Sequence, residues 1–136
     1  MPDDFPVTIY HNPDCGTSRN ALAMIEAAGY APQVVEYRKT GWTRELLMRL
    51  LIDMAALPRE VLREKGTPAA DLGLLDPGVS DDAILDAMLA HPILVNRPIV
   101  VTPKGTALCR PSEAVLPLLG RAPAAFIKED GEVVRP

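Results

Sequence analysis

The sequence has no apolar run approaching the length of a membrane span, only two cysteines, and no excess of positive charge, its net charge being −4. The first absence excludes a spanning helix. The first residues, Met1 to Pro6, are acidic and proline-bearing, unlike a signal peptide, so the two cysteines are expected as reduced thiols in the cytoplasm rather than as a disulfide scaffold. The acidic balance argues against a general nucleic-acid surface, and any bound anion has to be held by a local cluster of charge. No internal repeat or low-complexity segment interrupts the 136 residues. That length suits one domain running from 1 to 136. No membrane, nucleic-acid or metal partner is expected, no cofactor is expected to be bound, and the chain is expected to be a monomer.

What is present is concentrated near the start, where Val7 to Asn20 reads V-T-I-Y-H-N-P-D-C-G-T-S-R-N. The β-formers Val7 to Tyr10 run into the breakers Asn12, Pro13 and Asp14, and then into Ala21, Leu22, Met24 and Ile25 at helical spacing. This is strand, turn and helix. Cys15 falls in the turn, where unpaired backbone N–H groups and the positive end of a helix dipole favour a thiolate. A cysteine between Asp14 and Gly16 has little apolar surface to hide in, so a nucleophile is preferred to a small core residue. His11, at the strand's end, has two readings: it helps the thiolate, or it is a hydrogen-bonded structural residue.

Cys15-Gly16-Thr17-Ser18 has the spacing of a C-x-x-C redox motif, but Ser18 stands where a resolving cysteine would be. A thiol from outside must then complete any cycle that Cys15 begins. Arg19 follows Cys15 after three residues rather than the five of a cysteine-phosphatase loop, which discounts that chemistry. Cys109, between Leu108 and Arg110, is expected to pack as a small hydrophobe.

The first helix is expected over about Ser18 to Ala28, closed by Gly29. Val34 to Tyr37 follows as a strand, giving a βαβ unit. Trp42 to Ala56 is amphipathic, with Leu46, Leu47, Leu50, Leu51 and Met54 on one face. Pro58 starts a short helix closed by Gly66, with Arg63 in its last turn, and Ser80 caps another that stops at His91-Pro92. Ile99 to Thr102 and Ala107 to Cys109 pair as a hairpin about Pro103 to Thr106. Pro111-Ser112-Glu113 opens a last helix through Leu119, kinked or shortened by Pro117. The tail, about 120–136, is expected to pack loosely. The order is α/β, a thioredoxin-like βαβ and ββα with a helical insertion, about 42–91, between the second and third strands. The hairpin brings Arg97 and Arg110 to one end of the sheet, where two guanidiniums suit a tetrahedral oxyanion.

Tyr10 to Asn20, His91 to Pro103 (H-P-I-L-V-N-R-P-I-V-V-T-P) and Leu108 to Glu113 (L-C-R-P-S-E) together resemble the glutathione- and glutaredoxin-dependent arsenate reductases of thioredoxin-like fold. The likeness runs from about Val7 through Glu129 to Glu132. It implies that Cys15 attacks arsenate and that Arg63, Arg97 and Arg110 hold the oxyanion, with Arg59 the alternative to Arg63. It also implies that His11, Ser18 and Arg19 support the thiolate, that Arg19 stands with the substrate-binding arginines, and that the Arg97–Pro98 bond is a cis-proline. The reaction so implied makes a thiol–arsenate ester on Cys15; glutathione, a co-substrate, attacks it, and a glutaredoxin completes the reduction to arsenite. Two other functions share the fold: an Spx-like regulator that binds RNA polymerase, whose frequent C-x-x-C switch Ser18 removes here, and a general glutathione-linked thiol reductase that would tolerate loss of Arg97 or Arg110.

Overall fold

Ile9, fully buried, sits at the centre of a short strand, β1 (Thr8–Tyr10), which is flanked on both sides. The computed structural model describes residues 5 to 135; most of the acidic start, Met1 to Asp4, and the last residue of the tail, Pro136, lie outside the described residues. Two compact units are present, one built from the chain up to Glu36 together with that from Arg97 onward, the other from Tyr37–Asn96.

In the first unit α1 (Gly16–Ala27) crosses from β1 to the parallel strand β2 (Gln33–Val35). The antiparallel strands β3 (Ile99–Thr102) and β4 (Gly105–Leu108) complete a four-stranded sheet of order β2-β1-β3-β4. This is the thioredoxin-like order expected from the element pattern. Apolar residues of α1 (Ala21, Met24, Ile25) meet Ile9, Val100, Val115 and Leu119 in one core. The helix ends where Gly29 takes a φ of +94°, a conformation that costs glycine little.

Several boundaries differ from expectation. The helix α1 begins at Gly16 rather than Ser18, because Cys15 takes the cap position and its carbonyl accepts from Arg19 N at 2.9 Å. The hairpin turn is Pro103-Lys104 alone, for Thr102 pairs with Gly105 and its Oγ1 accepts from Lys104 N at 3.1 Å. The last helix, Ser112–Leu118, is 3-10 throughout, as suits a segment carrying a proline, which has no N–H and crowds the carbonyl one α-turn back. The tail is more ordered than a loose strap. It forms a second small sheet of β5 (Phe126–Ile127) and β6 (Val133–Val134), and Val134 joins the core.

The second unit is helical: α2 (Tyr37–Thr40), α3 (Arg44–Met54), a 3-10 turn Pro58–Val61, α4 (Asp81–Ala90) and a 3-10 turn Pro92–Leu94. Tyr37 was expected in a strand. It turns into α2 because its ring is buried, stacked on Trp42 with centroids 5.0 Å apart, and its hydroxyl donates to the Val95 carbonyl at 3.2 Å. Both long helices are capped as the sequence indicates, Thr43 Oγ1 and Ser80 Oγ each accepting a backbone N–H at 3.1 Å. Leu47, Leu50 and Leu51 of α3 are buried, while Leu46 and Met54 lie at the border of that face. Among the described residues no helix is long and apolar enough to cross a membrane.

Met24, at 0% exposure in the core under β1, is expected to cost about 2–5 kcal/mol when changed to alanine, through lost transfer energy and the cavity left behind. Ile52, 72% exposed, should cost within about 0.5 kcal/mol. Urea unfolding at unchanged slope checks both, and a tolerated Met24→Ala would contradict the core described.

Candidate active site

The loop between β1 and α1 is built by short-range bonds that hold Cys15 at the helix N-terminus. Asn12, 2% exposed, does most of this. Its carbonyl accepts from Cys15 N at 3.1 Å and its Oδ1 accepts from Asp14 N at 2.9 Å, closing an Asx turn. Its own N–H donates to Ser18 Oγ at 3.1 Å, and the same oxygen lies 2.6 Å from His11 Nδ1. His11 is tied in turn to β2, donating its backbone N–H to Val35 O at 2.8 Å. All three side chains are buried. The network is satisfied when the Ser18 hydroxyl donates to Nδ1 of a neutral imidazole. Burial lowers the His11 pKa first, with Glu36 opposing and Arg19 adding to it.

Cys15 itself is 6% exposed, and burial alone would raise its pKa. Against burial act the Ser18 backbone N–H from the first turn of α1 and the guanidiniums of Arg97 and Arg110, and together they leave the thiol below its ordinary value. Arg110 Nη1 stands 3.8 Å from the sulfur and donates to the Arg97 carbonyl at 3.0 Å. The ends of the β3–β4 hairpin therefore converge on the helix terminus. The Arg97–Pro98 peptide beside them is cis, and the buried Pro98 accepts from Cys109 N at 2.8 Å through its carbonyl. The site sets a buried thiol of lowered pKa beside two guanidiniums. Asp14 is exposed, where water screens its carboxylate.

Arg63 is not in a helix. The 3-10 turn ends at Val61, and the following chain is extended because Arg63 N donates to Leu94 O at 2.7 Å and Asn96 N to Val61 O at 2.8 Å, around a bridge from Leu62 to Val95. Arg63 Nε donates to Lys65 O at 2.9 Å. Arg59, the alternative, is directed elsewhere, its two terminal nitrogens donating to Asp76 O at 3.4 Å and Val79 O at 2.6 Å.

Arg19 also departs from expectation. Its fork is taken by Glu129, with Nε at 2.7 Å and Nη2 at 3.0 Å, and its Nη1 donates to Pro13 O at 2.7 Å, so it braces the loop rather than presenting its donors to an anion. Asn12 and Glu129 were not singled out in the sequence. The N-x-x-C spacing of an Asx turn could have indicated the first, whereas nothing local marks the second.

Cys109 is a contrast to Cys15. It lies fully buried in the core, its sulfur 3.7 Å from Ala107 O, and burial pushes its thiol up to about 12.

A mixed sheet of thioredoxin-like order, with a cysteine of lowered pKa at the cap of its first helix and arginines beside it, is an arrangement suited to thiol chemistry on an anionic substrate. A sequence model of the ArsC family matches residues 10–118. The chain is 60% identical over 129 residues to "Arsenate reductase ArsI2" of Synechocystis, covering 94% of this chain and 92% of that one. It is 54% identical, with the same coverage, to an "Arsenate reductase" of Escherichia coli. A solved structure titled "Arsenate reductase from Vibrio cholerae" superposes with a TM-score of 0.80 at 42% identity, over 86% of this chain and 100% of that one. The chain belongs to the ArsC family.

Two pH effects follow. Alkylation of Cys15 should have its midpoint below that of an ordinary cysteine, and Arg110→Ala should move it upward, as followed by iodoacetamide labelling against pH; an unmoved midpoint would remove Arg110 from the thiolate's surroundings. Folding should also respond to His11. Its folded pKa lies below its unfolded one, so the unfolded chain binds the proton first, and stability complete above about pH 6.5 declines as pH falls below that value. Urea midpoints taken between about pH 7.5 and about pH 5.5 should fall more for the intact protein than for His11→Asn.

Proposed function

We infer that this chain is an arsenate reductase that uses Cys15 as its nucleophile and draws its electrons from glutathione and a glutaredoxin. The observation that carries the reading is the placement of the Arg97 and Arg110 guanidiniums about a buried thiol already biased toward its anion. The names of relatives 52–60% identical to it agree. A general thiol reductase has no need of such a pair beside its sulfur, and Ser18 leaves no second cysteine for a C-x-x-C switch.

In this mechanism Arg97 and Arg110 draw the arsenate oxyanion to the sulfur by charge-assisted hydrogen bonds. The Cys15 thiolate displaces an oxygen as hydroxide or water and forms a sulfur–arsenic(V) bond. A glutathione thiolate displaces a second oxygen. A glutaredoxin thiolate then takes the glutathione sulfur as a mixed disulfide, and the electron pair of the broken sulfur–arsenic bond stays on arsenic, now arsenic(III). Water frees arsenite and returns Cys15. His11, Ser18 and Arg19 keep the loop in place. The role of Arg63 rests on the family resemblance, and its rival Arg59 is occupied by two carbonyls. A reducing compartment, the cytoplasm, suits a cycle that depends on free thiols, and one chain supplies Cys15, Arg97 and Arg110, as a monomer requires.

Arsenite formation with glutathione and glutaredoxin should vanish in Cys15→Ser. Arg97→Ala and Arg110→Ala should each raise the KM for arsenate roughly ten- to a hundredfold, the loss expected for one charged hydrogen bond. Undiminished turnover in Cys15→Ser would sink the mechanism, and an unaltered KM in both arginine variants would sink the anion site.

A further inference from the structure

We propose that Glu129, on the turn between β5 and β6, is a positioning residue for Cys15 that acts through Arg19. Its carboxylate takes Nε and Nη2 of Arg19 side by side at 2.7 and 3.0 Å. Its backbone N–H donates to Asn20 Oδ1 at 3.1 Å. The remaining nitrogen of Arg19 holds the Pro13 carbonyl at 2.7 Å, two residues before the nucleophile. The turn that presents Glu129 is itself anchored. Lys128 Nζ lies between Glu113 Oε1 at 2.7 Å and Glu132 Oε1 at 3.1 Å, and the Lys128 and Glu132 backbones are bonded at 2.9 Å. The last sheet of the chain is thereby connected to the loop that carries the sulfur, with a bidentate fork fixing direction as well as distance.

Stability is a poor explanation for this pair. The Arg19 and Glu129 side chains are 44% and 48% exposed, and exposed ion pairs add little to folding. Placement of the loop against Arg110 and the first turn of α1 is where a fixed brace has an effect, since small displacements of a nucleophile lower rates steeply.

The proposal rests on Cys15 being the nucleophile, and its test does not depend on arsenate. Iodoacetamide alkylation of Cys15 against pH would be compared in the intact chain, Glu129→Gln, Arg19→Gln and the double variant, with Cys109 silent in the core. Removing the Glu129 charge has two consequences of opposite sign. The uncompensated Arg19 cation favours the thiolate and lowers the midpoint, whereas a slackened loop moves the sulfur away from Ser18 N–H and Arg110 and raises it. Positioning predicts a rise of about half a pH unit, a kcat for arsenate reduction lowered about fivefold or more with KM within about twofold, and a double variant no worse than Arg19→Gln. A midpoint that falls or stays, a change confined to KM, or additive losses in the double variant would overturn it. A raised midpoint in a chain that reduced no arsenate would keep the brace and remove the activity.

Discussion

Everything in the site depends on one contest at the Cys15 sulfur, between burial, which favours the neutral thiol, and the charge gathered around it, which favours the anion. The Ser18 backbone N–H, Arg97 and Arg110 together outweigh burial and bring the thiol's pKa below its ordinary value. Cys109 shows the other outcome in the same core unit. Buried in the core with its sulfur 3.7 Å from the Ala107 carbonyl, its thiol is pushed up to about 12. The acidity of each thiol is set by its surroundings rather than by the residue type.

Those surroundings are assembled from distant parts of the chain by the sheet. Pairing of β1 with β3 and of β3 with β4 brings both arginines to the start of α1, so the same ladder that closes the core aims the charges. The loop is then held from within by Asn12, Ser18 and His11, and from outside by Arg19 with Glu129. Polar groups buried this closely have to be mutually satisfied, and the His11–Ser18–Asn12 set meets that requirement in one arrangement of the loop.

What was legible in the sequence was what short-range physics decides. The strand-to-helix turn around Cys15, the caps Thr43 and Ser80, the hairpin about Pro103 and the convergence of Arg97 with Arg110 all follow from local propensity and pairing. The features that escaped depend on partners far along the chain. Tyr37 reads as a strand residue until its ring stacks on Trp42. Arg63 reads as helical until the bridge from Leu62 to Val95 extends its backbone. The tail reads as a loose strap because nothing near Glu129 announces Arg19, and Arg19 for the same reason reads as an anion ligand rather than as a brace.

The central claim, a lone nucleophilic cysteine that needs thiols from outside, is tested most directly by one turnover without them. Reduced protein would be mixed with arsenate in the absence of glutathione and glutaredoxin, and arsenite and the thiol state of Cys15 and Cys109 measured. The account predicts no arsenite until glutathione and glutaredoxin are added. One equivalent of arsenite formed together with a Cys15–Cys109 disulfide would contradict it, for the buried thiol would then be the resolving partner.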